Sequence, residues 1–301
     1  MKVIFLGTAS AFPTKDRNQL ANLLVYDKDQ FLFDCGEGTQ RQLRIAEQSL
    51  MKINCIFLSH WHGDHTLGVP GLLQSMAMNR RKAPIHIYGP KGTKNSMEHM
   101  FKAFQMPEDT MFKVDVHEIS APTLKKIVET ETYYIEAINL PHPSPCLGFS
   151  FKEKDKIKID VTYLKKFGLT QHPILKELQK GKDITWNGKK IKANDATTVK
   201  KGKKIVIVAD SGPSINIPKL AKDADLFVCE ATFANALKDM ADERGHLTAK
   251  QTAKYAKEAK VQQLVITHFS QRYKDIKPLV KEAQGIFKNT KAARDFLQIS
   301  I

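Results

Sequence analysis

Nowhere in the 301 residues do 18 apolar residues follow one another, so no segment reads as a membrane-spanning helix. The four cysteines, Cys35, Cys55, Cys146 and Cys229, lie far apart and form no Cys-x-x-Cys pair. That excludes a disulfide framework and a zinc ribbon and leaves four reduced, mostly buried thiols. The chain has no repeat, no low-complexity tract and no Ser/Gly linker. Its N-terminal apolar run, Val3-Ile4-Phe5-Leu6, is too short for a signal peptide and breaks at Gly7-Thr8, so an intracellular, cytoplasmic protein is expected.

What the chain has in excess is positive charge. The formal net charge is +15, and residues 152–204 hold 16 Lys against 6 acidic residues, so +10 of that excess sits in 53 positions. A uniform lysine bias would spread the charge. Its concentration points to a polyanionic partner such as nucleic acid.

Elsewhere, short apolar runs alternate with helix-like segments. Strands are expected at Val3–Leu6, Phe31–Phe33, Cys55–Ser59, Ile85–Tyr88, Tyr133–Leu140, Ile205–Ala209, Leu226–Cys229 and Leu264–Thr267. Helices are expected near Gly71–Asn79, Lys94–Ala103, Leu247–Ala259 and Lys274–Phe287. This is a layered α/β arrangement. Residues 152–204 break the pattern as a polar, basic excursion with one helix-sized piece, Ile174–Lys180.

The decisive segment is Ser59-His60-Trp61-His62-Gly63-Asp64-His65, which follows the apolar run Cys55–Leu58. Three imidazoles and a carboxylate in six positions cannot pack as apolar core, because each buried group would need a polar partner. On a tight turn they can converge on divalent cations, which neutral imidazole and carboxylate suit. Four donors are too few to close two metal sites. His142, Asp210 and His268 each follow an apolar run, where α/β folds gather their sites. Glu230 also ends a run, and His246 precedes a helix start that Thr248 can cap. A His held by a carboxylate can act as a general acid. His86, His99, His117 and His172 stand singly and read as surface or satisfied polar residues.

The segment His60–His65 matches the H-x-H-x-D-H signature of the metallo-β-lactamase superfamily, and narrower stretches resemble the ribonuclease Z family. These are Phe5-Leu6-Gly7-Thr8, Arg17-Asn18, Phe33-Asp34-Cys35-Gly36-Glu37-Gly38-Thr39-Gln40-Arg41-Gln42, Tyr88-Gly89-Pro90-Lys91-Gly92 and Glu230-Ala231-Thr232-Phe233. The likeness runs from residue 2 to near the C-terminus. It departs at Phe167–Gly181, which lacks a Gly-Pro turn, and at Asp210, which is followed by Ser rather than Thr.

The resemblance implies a four-layer αββα sandwich over residues 1–301 with an inserted flexible basic arm at 152–204. It implies two Zn²⁺ per subunit, with Mn²⁺ or another divalent ion as substitutes. One would be held by His60, His62, His142 and Asp210, the other by Asp64, His65, Asp210 and His268. It implies an endoribonuclease that removes the 3′ trailer of precursor tRNA, leaving a 3′-hydroxyl on the tRNA and a 5′-phosphate on the trailer. Asp64 would orient the attacking water, and His246, set by Glu230, would protonate the leaving 3′ oxygen. Arm lysines, among them Lys165, Lys166, Lys176, Lys180 and Lys182, would contact phosphates, and a homodimer is expected. The nearest alternative is a phosphodiesterase acting on small cyclic or nucleotide phosphodiesters, which would share every ligand and have no use for the basic arm. A thioesterase of the glyoxalase II type lacks matching stretches, and a non-catalytic RNA-binding relative would be expected to have lost at least one ligand.

Overall fold

The computed structural model describes residues 1–106 and 112–301. Contacts divide the chain into two compact units, one of Met1–Glu129, Ile135–Phe151 and Lys204–Ile301, the other of Thr130–Tyr134 and Lys152–Lys203.

The larger unit is built on two seven-stranded sheets. The first runs Gln298–Ser300, Lys2–Gly7, Ala21–Tyr26, Asp29–Phe33, Ile53–Phe57, Ile85–Pro90, Val114–Ile119. The second runs Thr290–Ala292, Gln263–Thr267, Leu226–Glu230, Lys204–Val208, Cys146–Glu153, Tyr133–Leu140, Lys125–Glu129. Alternation along each strand sends side chains to opposite faces. Phe31, Phe33 and Phe57 of the first sheet meet Phe149 and Phe151 of the second, with Phe57 and Phe149 in an edge contact at 5.5 Å. The intervening residues Leu32 and Ile56 face outward, where Leu43, Leu72, Met76 and Met97 of three helices cover them. On the far side, Val206, Phe227 and Leu264 pack under Leu220, Ala253, Ala256 and Leu279, again from helices. Helix, sheet, sheet and helix thus make four layers around an aromatic centre, as expected.

Four neighbouring strands of each sheet run parallel: Asp29–Phe33 through Val114–Ile119 in the first, and Lys204–Val208 through Thr290–Ala292 in the second. Parallel strands end on a common edge, so residues that follow them in sequence gather there. The cysteines are all free and buried, and the Cys146 thiol donates to the Asp210 backbone carbonyl at 3.2 Å.

The smaller unit is more ordered than its polar sequence led us to expect. Lys156–Ile159 pairs antiparallel with Thr197–Lys200, and Ile184–Trp186 with Lys189–Ile191. The second ribbon turns at Asn187-Gly188, both at positive φ (47° and 75°), the geometry of a tight hairpin. Helices span Val161–Lys165, Leu175–Gln179 and Ala193–Ala196. Leu164, Leu169, Leu178, Ile184 and Ile191 form a separate small core.

Candidate metal centre

Tertiary structure brings His60, His62, His142 and Asp210 together with one donor atom each, all within 4.8 Å of one another. Asp64, His65 and His268 form a second such group, and Asp210, His246 and His268 a third. Asp210 is the hub. Its Oδ1 lies 3.5 Å from His65 Nε2 and 3.2 Å from His268 Nδ1, and its Oδ2 lies 3.6 Å from His60 Nε2 and 3.9 Å from His142 Nε2. Asp64 Oδ2 stands 3.4 Å from both His65 Nε2 and His268 Nε2.

The ring tautomers have visible causes. His65 Nδ1 donates to Asp34 Oδ2 at 3.0 Å, and His142 Nδ1 donates to the Gly245 carbonyl at 2.9 Å. His60 Nδ1 donates to Ser59 Oγ at 3.0 Å, and the Ser59 hydroxyl in turn donates to Asp34 Oδ2. His268 Nδ1 donates to Thr232 Oγ1 at 3.0 Å. A proton placed on Nδ1 makes Nε2 the nitrogen available to a cation, and on four histidines Nε2 faces the carboxylates. His62 takes part through Nδ1, 3.3 Å from His142 Nε2.

Such an arrangement is costly for protein alone. His60 Nε2, His65 Nε2 and Asp210 Oδ1 are buried without any hydrogen-bond partner. Buried polar atoms without partners cost about 1–3 kcal/mol each. Their convergence, with oxygen and imidazole donors only, fits divalent cations of the zinc type.

The local backbone is built for close approach. A Cβ on Gly36 would come within 2.4 Å of the Asp64 carbonyl oxygen, and one on Gly68 within 2.1 Å of the Gly36 carbonyl oxygen. Glycine at both positions lets the Asp34–Gly38 turn lie against the short Gly63–Thr66 helix. Ala11, Asp34 and His268 adopt left-handed φ of 57°, 57° and 59°, a strain that surrounding contacts must hold. Ala11 N–H donates to Asp64 Oδ2 at 2.7 Å.

Burial opposes ionisation of Asp64 and Asp210, but the surrounding histidines outweigh it and hold both carboxyls well below the usual range. His60 is driven down by burial and by its neighbouring imidazoles. For His246, burial lowers and Glu230 and Asp210 raise, with a net rise to about 9. Its Nδ1 lies 3.2 Å from Glu230 Oε1. Glu230 is fully buried and accepts from Ser211 N–H at 2.7 Å and from the Thr232 hydroxyl at 2.6 Å. Thr248 caps the following helix, Ala249–Glu258, in a capping box with Gln251, so His246 sits on a fixed helix entry.

The sequence reading missed the residues that aim the donors. Asp34 follows Phe31–Phe33 and so satisfies the strand-end rule that singled out the other carboxylates. Thr232 and Ser59 lay inside quoted motifs. The Gly245 carbonyl and the Ala11 amide carry no sequence signal. His86 and His117, read as single, meet with Nδ1 and Nε2 3.2 Å apart. The five named arm lysines are all exposed. Lys180 and Lys182 pair with Glu177 at 2.8 and 3.3 Å, and Lys166 lies over the Tyr163 ring.

A family model described as Anti-Pycsar protein Apyc1 matches residues 1–179, a span that includes His60–His65 and His142 and ends before Asp210. Ribonuclease Z of Methanococcus aeolicus is 40% identical over 302 residues, covering 98% of this chain and 92% of its own length. Ribonuclease Z of Methanosarcina acetivorans is 36% identical over 100% of this chain and 98% of its own. The crystal structure of human tRNase Z, short form, superposes with a TM-score of 0.74 at 30% identity, covering 100% and 99% of the two chains. Because the full-length matches also take in Asp210, Glu230, His246 and His268, the chain belongs to the ribonuclease Z family of metallo-β-lactamase-fold proteins.

Proposed function

We propose that the protein is a metal-dependent endoribonuclease of tRNA processing that removes the 3′ trailer of precursor tRNA and leaves a 3′-hydroxyl on the tRNA. One observation carries the reading: a single chain joins a converging His/Asp donor cluster to a separate compact unit that holds most of the excess positive charge. Full-length likeness to ribonuclease Z relatives supports it.

The donors fit two divalent cations, zinc or manganese, with His60, His62, His142 and Asp210 holding one and Asp64, His65, Asp210 and His268 the other. Bound there, they would supply Lewis-acid neutralisation of phosphate charge and lower the pKa of a water. Asp64, steadied by the Ala11 amide, orients that water. His246 keeps Nδ1 against Glu230, which leaves its other nitrogen free to deliver a proton to the leaving 3′ oxygen. No helix among the described residues is long and apolar enough to cross a membrane. A cytoplasmic homodimer, in which the arm of one subunit grips RNA cut by the other, completes the reading.

The test is incubation of zinc-loaded protein with a 3′-extended tRNA precursor, an unstructured RNA and a small phosphodiester ester. Selective release of the trailer with a 5′-phosphate, abolished by a chelator, is the expected result. Ester hydrolysis with no preference for the precursor would move the function to small phosphodiesters.

The arm makes a separate prediction. Glu153 N–H donates to the Lys203 carbonyl at 2.9 Å, so the two ends of residues 154–202 lie side by side and a short glycine linker can replace that segment. Each lost phosphate contact should flatten the log–log salt dependence of precursor binding by roughly 0.7–0.9. An unchanged slope in the deleted protein would remove the arm from RNA binding.

A further inference from the structure

Beside the donor cluster lies a cleft of about 350 Å³ lined by Phe12, Phe233, Arg244, His246, Gln271 and Arg272, together with Ser10, Ala11, Thr232 and Ser270. Its two phenyl rings differ. Phe233 is 2% exposed, and the Arg272 guanidinium lies 5.1 Å from its ring centroid. Phe12 is 59% exposed. A single exposed phenylalanine needs no explanation by itself. This one lines the same cleft as His246.

Its backbone is fixed from both sides. Ala11, at left-handed φ, gives its N–H to Asp64, and its carbonyl accepts from Gln19 Nε2 at 3.1 Å. Phe12 N–H donates to the Ser10 carbonyl at 2.7 Å, and Thr14 N–H to the Arg17 carbonyl at 2.8 Å. Pro13 restricts the turn between them. The strand Ala9–Ser10 pairs in parallel with Phe269–Ser270, directly after His268. The Phe12 backbone is therefore tied through one peptide unit to Asp64 and through one strand pair to His268. Arg272 Nε donates to Ser270 Oγ at 3.1 Å, which steadies a guanidinium in the cleft lining. A flat apolar face, two guanidiniums and several hydroxyl and amide groups in a cleft at the small end of ligand sites fit one nucleotide: base on the ring, phosphate on the cations.

We propose that Phe12 is a stacking platform for the nucleobase next to the scissile phosphate and so sets the position of the RNA strand at the cut. This rests on the RNA-cleavage reading above. Stacking on a side chain ignores the hydrogen-bonding edge of the base, so the platform contributes to placement and rate rather than to sequence choice.

The experiment is a double-mutant cycle between Phe12 and the base. Precursor RNA is made intact, or abasic at the nucleotide on either side of the cut. Each RNA is assayed with wild type, Phe12→Ala and Phe12→Trp, as kcat/KM with zinc and as Kd in chelator. Phe12→Ala and the abasic change at one of the two positions should each lower kcat/KM and weaken binding by about 10-fold, and together by no more than either alone. Phe12→Trp should retain the wild-type values. Losses that multiply at both positions, or an alanine variant indistinguishable from wild type, would overturn the proposal. If wild type cuts no precursor at all, it is the functional reading that fails.

Discussion

Replacing Asp210 with alanine is expected to remove bound metal from both halves of the site and to lower precursor cleavage by about a thousandfold or more. The size follows from its place as hub. Its two carboxylate oxygens stand within 4 Å of His60, His65, His142, His246 and His268, so no other single side chain touches as many of the donors. It is 2% exposed, and the His268, His65 and His246 imidazoles beside it keep its buried carboxyl ionised against the cost of burial. Elemental analysis should find less than one ion per chain. The melting temperature of wild type should rise with added zinc, because ligand that binds only the folded state stabilises it, while that of the variant should not move. A variant with full metal content and near-normal turnover would remove Asp210 from the centre. Asp210→Asn keeps one carbonyl oxygen and loses the charge, so it should fall between the two.

The donors were legible in the sequence because two independent rules agree on them. The His60–His65 cluster has no other physical use, and His142, Asp210, Glu230 and His268 each end an apolar run. Parallel strands sharing an edge then bring the His60–His65 turn, Asp210, Glu230 and His268 together, while His142 follows a strand outside those parallel sets. What was not legible is how each ring is turned. Asp34 could have been found by the same strand-end rule, but nothing in its neighbours says that it will accept from both Ser59 and His65. The Gly245 carbonyl and the Ala11 amide are backbone groups, present at nearly every residue, and only the fold makes them partners. The His86–His117 contact was hidden because Val114–Ile119 carries three polar residues in six and was not read as a strand, although it pairs along Ile85–Pro90. In the arm, lysine-rich composition masked a small core. Trp186-Asn187-Gly188-Lys189 was a hairpin signal within it, Asn-Gly between strand-forming residues, that local turn chemistry would have recovered.

Converting His246 to alanine separates proton delivery from metal holding. Turnover of the RNA precursor should fall by about 10²–10⁴, the range of a lost general acid, with metal content unchanged. The imidazole sits at the boundary of two roles. Its Nδ1 is 3.2 Å from Glu230 Oε1 and 3.8 Å from Asp210 Oδ2, and it also groups with Asp210 and His268 as a potential donor. Two features favour the acid. Glu230 is fully buried and already accepts from Ser211 and Thr232, so it acts as a fixed anchor for one ring nitrogen. The ring lines the open cleft, where a leaving oxygen can reach the other nitrogen. A precursor with sulfur in place of the leaving 3′ oxygen discriminates between the roles. Thiolate departs without a proton, so this substrate should be cut by His246→Ala at close to the wild-type rate, which a damaged metal centre could not produce. Loss of metal in the variant, or an equal loss of rate on both substrates, would assign His246 to the ligand set instead.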